Sequence, residues 1–526
     1  MSRTQKMFNA NFNSEESTGS SQTKPLWCRL LKIGIWICGG MAFVICGLVA
    51  LLFVFLDRVP ASYPAARHPI PAPARGSKLG GGLDGFDSPY LGHTGSWDGK
   101  GGAMLGGSKI GDLDKEREMG LRWTFMAVYW RKMEPNGPVN LSQETPVAWK
   151  ELDAFIIAAH ERKLNVLMQA PVIGGNAGGP PAWAGRREAG KSAPANMTAL
   201  ADFAGKLAER YRPGGVLARR EGWGETYGVR AWEMDNEPEM YFTHWKNQAG
   251  DYAEFVTLAA ARIKAVDPRA VILAPGLAAG KDGLAWLASA LNANELSGSP
   301  FYRERGKPFS IGRAVDVVSL HNYEGLDSAF SSEPRTIAQV LDDVSGVFEK
   351  WENGPKGFAY DRKEEFWHTE GNFDFIGALS SERRAAWRMQ FFTRAFAAGI
   401  RKACVMDASE KERIAVKAYV HALPWPFPML EAGSDIKVLH GSVAAFRHPD
   451  HNGLNAGQVW VLWAIANTGD ATVEIPVQQN RIDVISIDGR SDTTTAVGGY
   501  LHLDLKGDPK MAAPLIVVDR ALRLEK

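Results

Sequence analysis

The sequence predicts an α/β protein: a (β/α)8 (TIM) barrel with a C-terminal β-sandwich domain and an N-terminal transmembrane helix. Strand-like and helix-like stretches alternate between residues 86 and 425, which is typical of a parallel sheet with helical connections. Past residue 430 the helical periodicity disappears, and short β-like stretches separated by turn residues follow. Residues 33–56 carry no charged side chain and are numerous enough to cross a bilayer.

The composition excludes some classes of protein. The chain has 526 residues, with 60 Lys and Arg against 59 Asp and Glu, so bulk charge does not favour a nucleic-acid-binding protein. Three of the four cysteines lie in or beside the apolar segment, so neither a disulfide framework nor a CxxC metal motif is present. The 17 tryptophans suit either a packed core or the stacking of sugar rings on indoles.

The N-terminal region divides into three predicted segments. Residues 1–32 form a cytoplasmic tail, residues 33–56 the transmembrane helix, and residues 57–85 a Pro- and Gly-rich linker. Basic residues before the apolar segment favour a cytoplasmic N-terminus, with the rest of the chain in the periplasm. A cleaved signal peptide is the alternative, although the segment is longer than a usual signal core.

Eight strand–helix pairs are expected between residues 86 and 425, as a closed barrel requires. An open doubly wound sheet is the competing fold, but no GxGxxG motif follows the first strand. The predicted strands are residues 90–94, 122–128, 164–172, 229–236, 271–275, 315–321, 365–370 and 402–407. The predicted helices are residues 112–119, 149–162, 199–211, 251–266, 284–291, 337–351, 382–398 and 411–423.

The C-terminal β-sandwich domain is predicted over residues 430–526. Its expected role is to cover the barrel surface, and carbohydrate binding is the alternative. The predicted strands are residues 442–446, 458–466, 471–477, 481–487, 500–505 and 514–518.

Polar side chains follow three of the predicted barrel strands. The fourth strand leads into Asn236-Glu237-Pro238, and the seventh ends in Thr369-Glu370. The sixth strand ends in His321, followed closely by Tyr323. The carboxyl ends of barrel strands meet at one face, so Glu237 and Glu370 are expected to share a pocket. Two carboxylates facing one pocket, one held protonated and one ionised, are what cleavage of a glycosidic bond needs.

These motifs resemble the acid/base and nucleophile motifs of clan A glycoside hydrolases. The chain is most similar to glycoside hydrolase family 39 and its bacterial exopolysaccharide-associated relatives of the Psl type, including residues 120–123 and 130–135. The resemblance implies a retaining mechanism with Glu237 as acid/base and Glu370 as nucleophile. It further implies that Asn236 contacts the hydroxyl beside the reacting carbon, and that His321 or Tyr323 orients Glu370.

One position departs from the pattern of this family. An arginine usually stands five residues after the glycine of the second strand, beneath the nucleophile, whereas this chain has Phe125. Loss of that cation would remove one stabiliser of the ionised nucleophile and tend to raise its pKa. Arg122 lies too early in the strand to substitute for it.

The loops after the strands hold several candidate contacts for a sugar. The best are Trp130 and Trp183, and the glycine- and proline-rich residues 174–181 suggest an open groove suited to internal cleavage of a polymer. The remaining candidates are Tyr241, Trp245, Asn372 and Phe373. His93, His244 and His368 lack ligand spacing, so neither a metal nor another cofactor is expected.

The predicted function is therefore that of a glycosidase in the inner membrane, cutting an exopolysaccharide in the periplasm. Its partners would be the polysaccharide, the inner membrane and the synthesis or export machinery, with no nucleic acid. Two alternatives stay open: a non-catalytic glycan-binding or scaffold component, which Phe125 motivates, and transglycosylation by the same residues.

Overall fold

The structure, a computed structural model, describes the chain from Leu83 to Asp519 with gaps. The described residues are 83–93, 105–142, 145–173, 178–189, 193–240, 245, 248–278, 281–293, 311–322, 336–352, 365–371, 379–406, 408–424, 429–431, 435–449 and 458–519. The predicted tail, transmembrane helix and most of the linker lie outside these ranges. Within the ranges, no helix combines the length and apolar character needed to cross a bilayer.

The barrel is a closed sheet near the start of the described chain. Its strands are β1 (Tyr90–His93), β2 (Leu105–Gly107), β3 (Trp123–Tyr129), β4 (Asn165–Val172), β5 (Ala231–Glu233), β6 (Val271–Ala278), β7 (Val317–His321), β8 (Phe366–Glu370) and β9 (Ile400–Met406). They form one 9-stranded sheet in the order β1-β9-β8-β7-β6-β5-β4-β3-β2. The short β2 is antiparallel to β3. The other eight strands are parallel, and β1 also pairs with β3 at Leu91 and Trp123, which closes the barrel. This confirms the predicted (β/α)8 barrel.

Helices connect the strands and pack outside the sheet. They are α1 (Leu113–Glu118), α2 (Trp130–Met133), α3 (Val147–Glu161), α4 (Met197–Tyr211), α5 (Val216–Arg220), α6 (Ala249–Val266), α7 (Lys281–Ala293), α8 (Ile311–Ala314), α9 (Ile337–Glu352), α10 (Ser381–Ala398) and α11 (Glu410–Ala422). Local chemistry sets several of their ends. In α11, Ser409 and Glu412 form a capping box, and α10 ends at Gly399, which has a φ of 104°.

Side chains fill the barrel interior. Alternate residues of β3 point inward, and Trp123, Phe125 and Tyr129 join one buried cluster with Leu167 from β4 and Trp367 from β8. The barrel is therefore a packed core, and a substrate can approach only at an end of it.

A buried lysine anchors the floor of the barrel, at the amino ends of the strands. The side-chain amine of Lys402 donates hydrogen bonds to the carbonyl oxygens of Phe86 and Ser88. Its nitrogen also lies 4.7 Å from the ring centroid of Trp123 and 4.9 Å from that of Trp367. These contacts hold the segment before β1 against the barrel floor, opposite the strand ends that carry the catalytic candidates.

Strand β5 is shorter than the sequence predicts. The predicted strand of residues 229–236 was expected to stop at Pro238, but pairing ends at Glu233. The reason is the backbone of Asp235 and Glu237, which have φ values of 60° and 40°. These left-handed conformations turn the chain out of the ladder before the proline is reached.

The C-terminal region consists of two antiparallel sheets. Its strands are β10 (Leu430–Glu431), β11 (Lys437–His440), β12 (Val443–Pro449), β13 (Gln458–Ala464), β14 (Ala471–Pro476), β15 (Arg481–Ile485), β16 (Ser491–Thr495), β17 (Tyr500–Leu505) and β18 (Leu515–Asp519). Six strands form a sheet in the order β10-β12-β13-β18-β15-β16, and β11-β14-β17 form the other. The region contacts the barrel through Gln390, which donates to the Ala512 carbonyl at 2.7 Å, and through an Arg383–Asp508 ion pair.

Three of these strands were missed by sequence analysis. Strands β11 and β16 are exposed along most of their length, so they lack the alternation of apolar and polar residues that marks a half-buried strand. Strand β10 has only two residues. Their pairing partners, not their own residues, define them as strands.

Candidate active site

Glu237 lies in a tight turn directly after β5. The carboxylate of Asp235 holds this turn, because it accepts hydrogen bonds from the backbone N–H of Asn236 at 2.9 Å and from the indole of Trp245 at 2.8 Å. These bonds offset the cost of the left-handed backbone at Asp235 and Glu237. Glu237 is 7% exposed, so the turn presents a nearly enclosed carboxyl group at the mouth of the barrel.

Glu370 is the last residue of β8, and its position depends on the glycine that follows. A Cβ on Gly371 would lie 2.1 Å from the backbone oxygen of Asn322. Only glycine allows that approach, and in this arrangement the N–H of Asn322 donates to the Glu370 carbonyl at 3.2 Å. Glu370 is also 7% exposed.

His321, the last residue of β7, lies between the two glutamates. Its Nδ1 is 3.0 Å from Oε1 of Glu237 and 3.8 Å from Oε2 of Glu370. One side-chain atom from each of the three residues can be chosen so that all lie within 4.8 Å of one another. The barrel thus brings together two glutamates that are remote in the sequence.

His321 carries a positive charge in this setting. Burial lowers its pKa, but attraction by Glu370, the hydrogen bond to Glu237 and the charge of Glu233 outweigh burial and raise the pKa to about 9. The pair formed by His321 and Glu237 therefore holds a proton at neutral pH.

This charge bears on the missing arginine at Phe125. The ring of Phe125 packs on His93, with centroids 4.0 Å apart, inside the barrel. Burial lowers the pKa of His93 to about 4, so it stays neutral and does not replace the arginine. The cation near Glu370 is instead His321, which approaches from β7. A cation is therefore present beside Glu370 although the arginine is missing.

A third glutamate lies below the pair. Glu233, the last residue of β5, is 0% exposed and accepts hydrogen bonds from Thr369 at 2.7 Å and Gln169 at 3.1 Å. Gln169 also donates to the side chain of Asn236 at 3.0 Å, which fixes the orientation of that amide. Neither Glu233 nor Gln169 is among the site residues predicted from the sequence, although a polar residue inside an apolar barrel strand is a usable signal.

Glu239, two residues after Glu237, is a fourth carboxyl group nearby. Its Oε1 accepts a hydrogen bond from the backbone N–H of Ala278 at 2.6 Å. Burial, together with the charge of Glu237, raises the pKa of Glu239 to about 8. Glu239 is therefore neutral at pH 7 and adds no second negative charge beside Glu237.

The predicted aromatic sugar contacts do not all fit the structure. Trp130 is completely buried between Trp183 and Phe203, and its indole N–H donates to Glu134 at 3.0 Å. Trp245 is likewise buried, and its indole N–H donates a hydrogen bond to the carboxylate of Asp235. Both are core residues here, because Trp130 packs on Phe203 of α4 and Trp245 packs on Tyr252 and Phe255 of α6.

Other predicted contacts have different outcomes. Trp183 is half-buried, donates its N–H to the Glu134 carbonyl at 2.7 Å, and stays a candidate for stacking on a sugar. The positions of Tyr241, Tyr323, Asn372 and Phe373 fall outside the described residues, as does that of His244.

The spacing of Glu237, His321 and Glu370 also raises the question of a metal ion. Three ligand atoms within 4.8 Å could hold one. A metal ion would have to displace the proton of His321, whose pKa is raised to about 9, so metal binding would release a proton at neutral pH. His368 is neutral and buried, and its Nε2 lies 3.4 Å from the Asn322 carbonyl.

The described fold belongs to the class of (β/α)8 barrels with C-terminal β-sheets. Among solved structures, it is similar to a glucosidase from Croceicoccus marinus, with a TM-score of 0.51 and 13% identity over 88% of this chain and 98% of that one. It is also similar to an α-L-arabinofuranosidase from Thermotoga maritima, with a TM-score of 0.51 and 12% identity over 87% of this chain and 98% of that one. A third is a GH51 α-L-arabinofuranosidase from Thermotoga petrophila, with a TM-score of 0.50 and 12% identity over 87% of this chain and 97% of that one.

At these identities the likeness concerns the fold, and the fold is one that glycoside hydrolases use. No protein-family model matches the chain, and no curated protein matches it in sequence.

Proposed function

We propose that the chain is a retaining glycoside hydrolase, with Glu237 as acid/base and Glu370 as nucleophile. The observation that carries this proposal is the approach of the two side chains to His321 and to each other, with oxygen atoms within 4.8 Å. Retaining glycosidases hold their carboxyl groups about 5–5.5 Å apart, and inverting ones about 6.5–9.5 Å apart. An approach of one oxygen from each carboxyl group to within 4.8 Å fits the shorter spacing and supports direct attack by Glu370.

The reaction would run in two displacements. Glu370 attacks the anomeric carbon while Glu237 gives a proton to the departing glycosidic oxygen, which leaves a glycosyl ester on Glu370. Water then attacks the same carbon and gives its proton to Glu237, and the carboxylate of Glu370 is released. In the first step the proton can come from Nδ1 of His321 through Glu237, because the two atoms are 3.0 Å apart.

The charge of His321 acts before the first step and again once its proton has returned through Glu237 in the second step. An imidazolium 3.8 Å from Glu370 then stabilises the ionised nucleophile and the same carboxylate after its release. Glu239 is neutral at pH 7 and therefore does not change the charge around His321 and Glu370. The similar solved structures include a glucosidase and arabinofuranosidases, and this supports a glycoside as the substrate class.

The finer proposal is that the substrate is a bacterial exopolysaccharide and that residues 33–56 anchor the enzyme in the inner membrane, with the barrel in the periplasm. Its support is the apolar segment and the resemblance to family 39 and its exopolysaccharide-associated relatives. The glycine and proline content of residues 174–181 predicts an open groove, and such a groove would suit internal cleavage. Deletion of residues 1–56 should move the protein from the membrane fraction to the soluble fraction, and retention in the membrane would contradict the anchor.

The test of the reaction compares Glu370→Ala and Glu237→Gln with the unmodified chain. The substrates are the exopolysaccharide of the organism that encodes the chain and a panel of aryl glycosides. Each variant should lose at least a hundredfold in kcat, since each removes a group that bonds the reacting atoms. Glu116→Gln is the matched control, because Glu116 is a buried glutamate bonded to Ser108 at 2.8 Å and lies apart from the pair. Full activity in either active-site variant would contradict the proposal.

A further inference from the structure

Glu233 is a completely buried carboxylate to which the proposed reaction assigns no step. It lies at the end of β5, four residues before Glu237, and points into the barrel below the catalytic pair. Burying a charge is unfavourable unless hydrogen bonds and opposite charges compensate for it. The groups that compensate for the buried charge of Glu233 therefore indicate its role.

Its hydrogen bonds reach both catalytic loops. Thr369, the neighbour of Glu370, donates to Oε1 of Glu233 at 2.7 Å. On the other side, Gln169 donates to Oε2 of Glu233 at 3.1 Å and to Asn236, the neighbour of Glu237, at 3.0 Å. One carboxylate thus connects β4, β5 and β8 and sets the separation of the two strand ends that carry the reacting groups.

The opposite charge is His321. Gly276, with a φ of 62°, has no side chain, and a Cβ built there would lie 3.2 Å from Nε2 of His321 and 3.4 Å from Oε1 of Glu233. The two polar atoms therefore border the same small space. In the described part of the chain, Nε2 of His321 has no hydrogen-bond partner, so its compensation there is the nearby negative charge.

We propose that Glu233 is a positioning residue that keeps His321 charged from below and holds Glu237 and Glu370 at their working separation. The titratable groups that interact with His321 are Glu237 and Glu370 above it, Glu233 below it, Glu239, and the neutral His93 and His368 within the barrel. Without Glu233, only the two carboxylates above would balance the charge of the imidazolium. Glu233 supplies negative charge on the opposite side of the ring. The kinetic part of this inference rests on the proposed function, but the charge of His321 does not.

The test that needs no substrate is an imidazole ¹⁵N NMR titration of the full-length chain labelled at histidine. The His321 signal is assigned by its absence in His321→Gln. In Glu233→Gln the His321 pKa should fall by about one unit or more, as expected for loss of a charge within a few ångströms. In Glu116→Gln it should stay unchanged. An unchanged His321 titration in Glu233→Gln would overturn the proposal, even if the protein proved not to be a glycosidase.

A second measurement separates positioning from simple loss of stability. With a cleavable aryl glycoside, Glu233→Gln should lower kcat at least tenfold, leave KM within about threefold, and move the alkaline limb of the pH profile to lower pH. Thr369→Val removes one donor to Glu233 and keeps the carboxylate, so it provides the readout if Glu233→Gln does not fold. It should lower kcat with a smaller shift of the alkaline limb, and unchanged kcat in a folded variant of either kind would contradict the positioning role.

Discussion

Nδ1 of His321 lies 3.0 Å from Oε1 of Glu237, and this contact joins the ends of two barrel strands that are 84 residues apart in sequence. The same nitrogen is 3.8 Å from Glu370 on the next strand. A charged imidazole is thus shared by the two groups proposed to act on the glycosidic bond. Several measurable properties depend on it.

The first prediction concerns stability and pH. The pKa of His321 is raised from 6.5 to about 9 in the folded protein. Between these values the folded state binds the proton and the unfolded state does not, so the stabilising contribution is fully present below pH 6.5 and lost as pH rises through 9. His321→Gln should therefore remove roughly 3 kcal/mol of pH-dependent stability over that window. Urea unfolding of both chains at several pH values measures the difference, and parallel curves would contradict the charge on His321.

The second prediction concerns Lys402 on the barrel floor and has the opposite sign. Burial lowers the pKa of Lys402 from 10.5 to about 7. Between pH 7 and 10 the unfolded chain binds this proton and the folded chain does not, so the contribution of Lys402 to stability should rise by about 1.4 kcal/mol per pH unit, opposite in sign to that of His321. Lys402→Met should remove this contribution. The difference in unfolding free energy between the two chains isolates Lys402, and a difference that stays constant from pH 7 to 10 would rule out the neutral lysine.

The third prediction separates two tryptophans that look equivalent in the sequence. Trp130 is enclosed by the core, so Trp130→Ala should lower the free energy of unfolding by about 3–5 kcal/mol. Trp183 is half-buried, so Trp183→Ala should be less destabilising and should raise KM for a polysaccharide roughly 2- to 10-fold, as expected for loss of one stacking contact. Thermal unfolding and steady-state kinetics together distinguish them, and an unchanged KM in Trp183→Ala would remove Trp183 from the binding site.

The fourth prediction concerns Gly371. A methyl group there would meet the backbone oxygen of Asn322 at 2.1 Å, so Gly371→Ala should displace Glu370 and lower kcat at least tenfold. Gly346, inside α9, is the matched control, because nothing lies within 4 Å of a Cβ built on it. Gly346→Ala should leave kcat unchanged and stabilise the helix by about 0.5–1 kcal/mol. Equal kinetics for the two variants would contradict the close approach at Gly371.

The sequence predicts the barrel and the positions of both catalytic candidates, for a physical reason. The carboxyl ends of parallel strands share one face, so Glu237 and Glu370 can be placed there without knowing the packing. The roles of Glu233 and Gln169 depend on the closure of the barrel, which brings Gln169 and Thr369 to opposite oxygens of one carboxylate. No local sequence pattern predicts that these two side chains contact Glu233.

The prediction that Trp130 contacts a sugar fails for a similar reason. Trp130 follows a barrel strand directly, where loops that contact substrate often begin. Its actual surroundings come from Phe203 on α4 and from Trp183, both far along the chain. Long-range packing of this kind decides whether an aromatic residue faces the core or a groove, and the spacing of residues does not reveal it.

The central claim is that Glu237 and Glu370 lie close enough for direct attack on the anomeric carbon. Proton NMR of the first product released from an aryl glycoside or the exopolysaccharide, recorded before mutarotation, tests it most directly. The account predicts that this product has the same anomeric configuration as the substrate bond, and that Glu370→Ala does not form it. Release of the opposite anomer, or equal release by Glu370→Ala, would contradict the account.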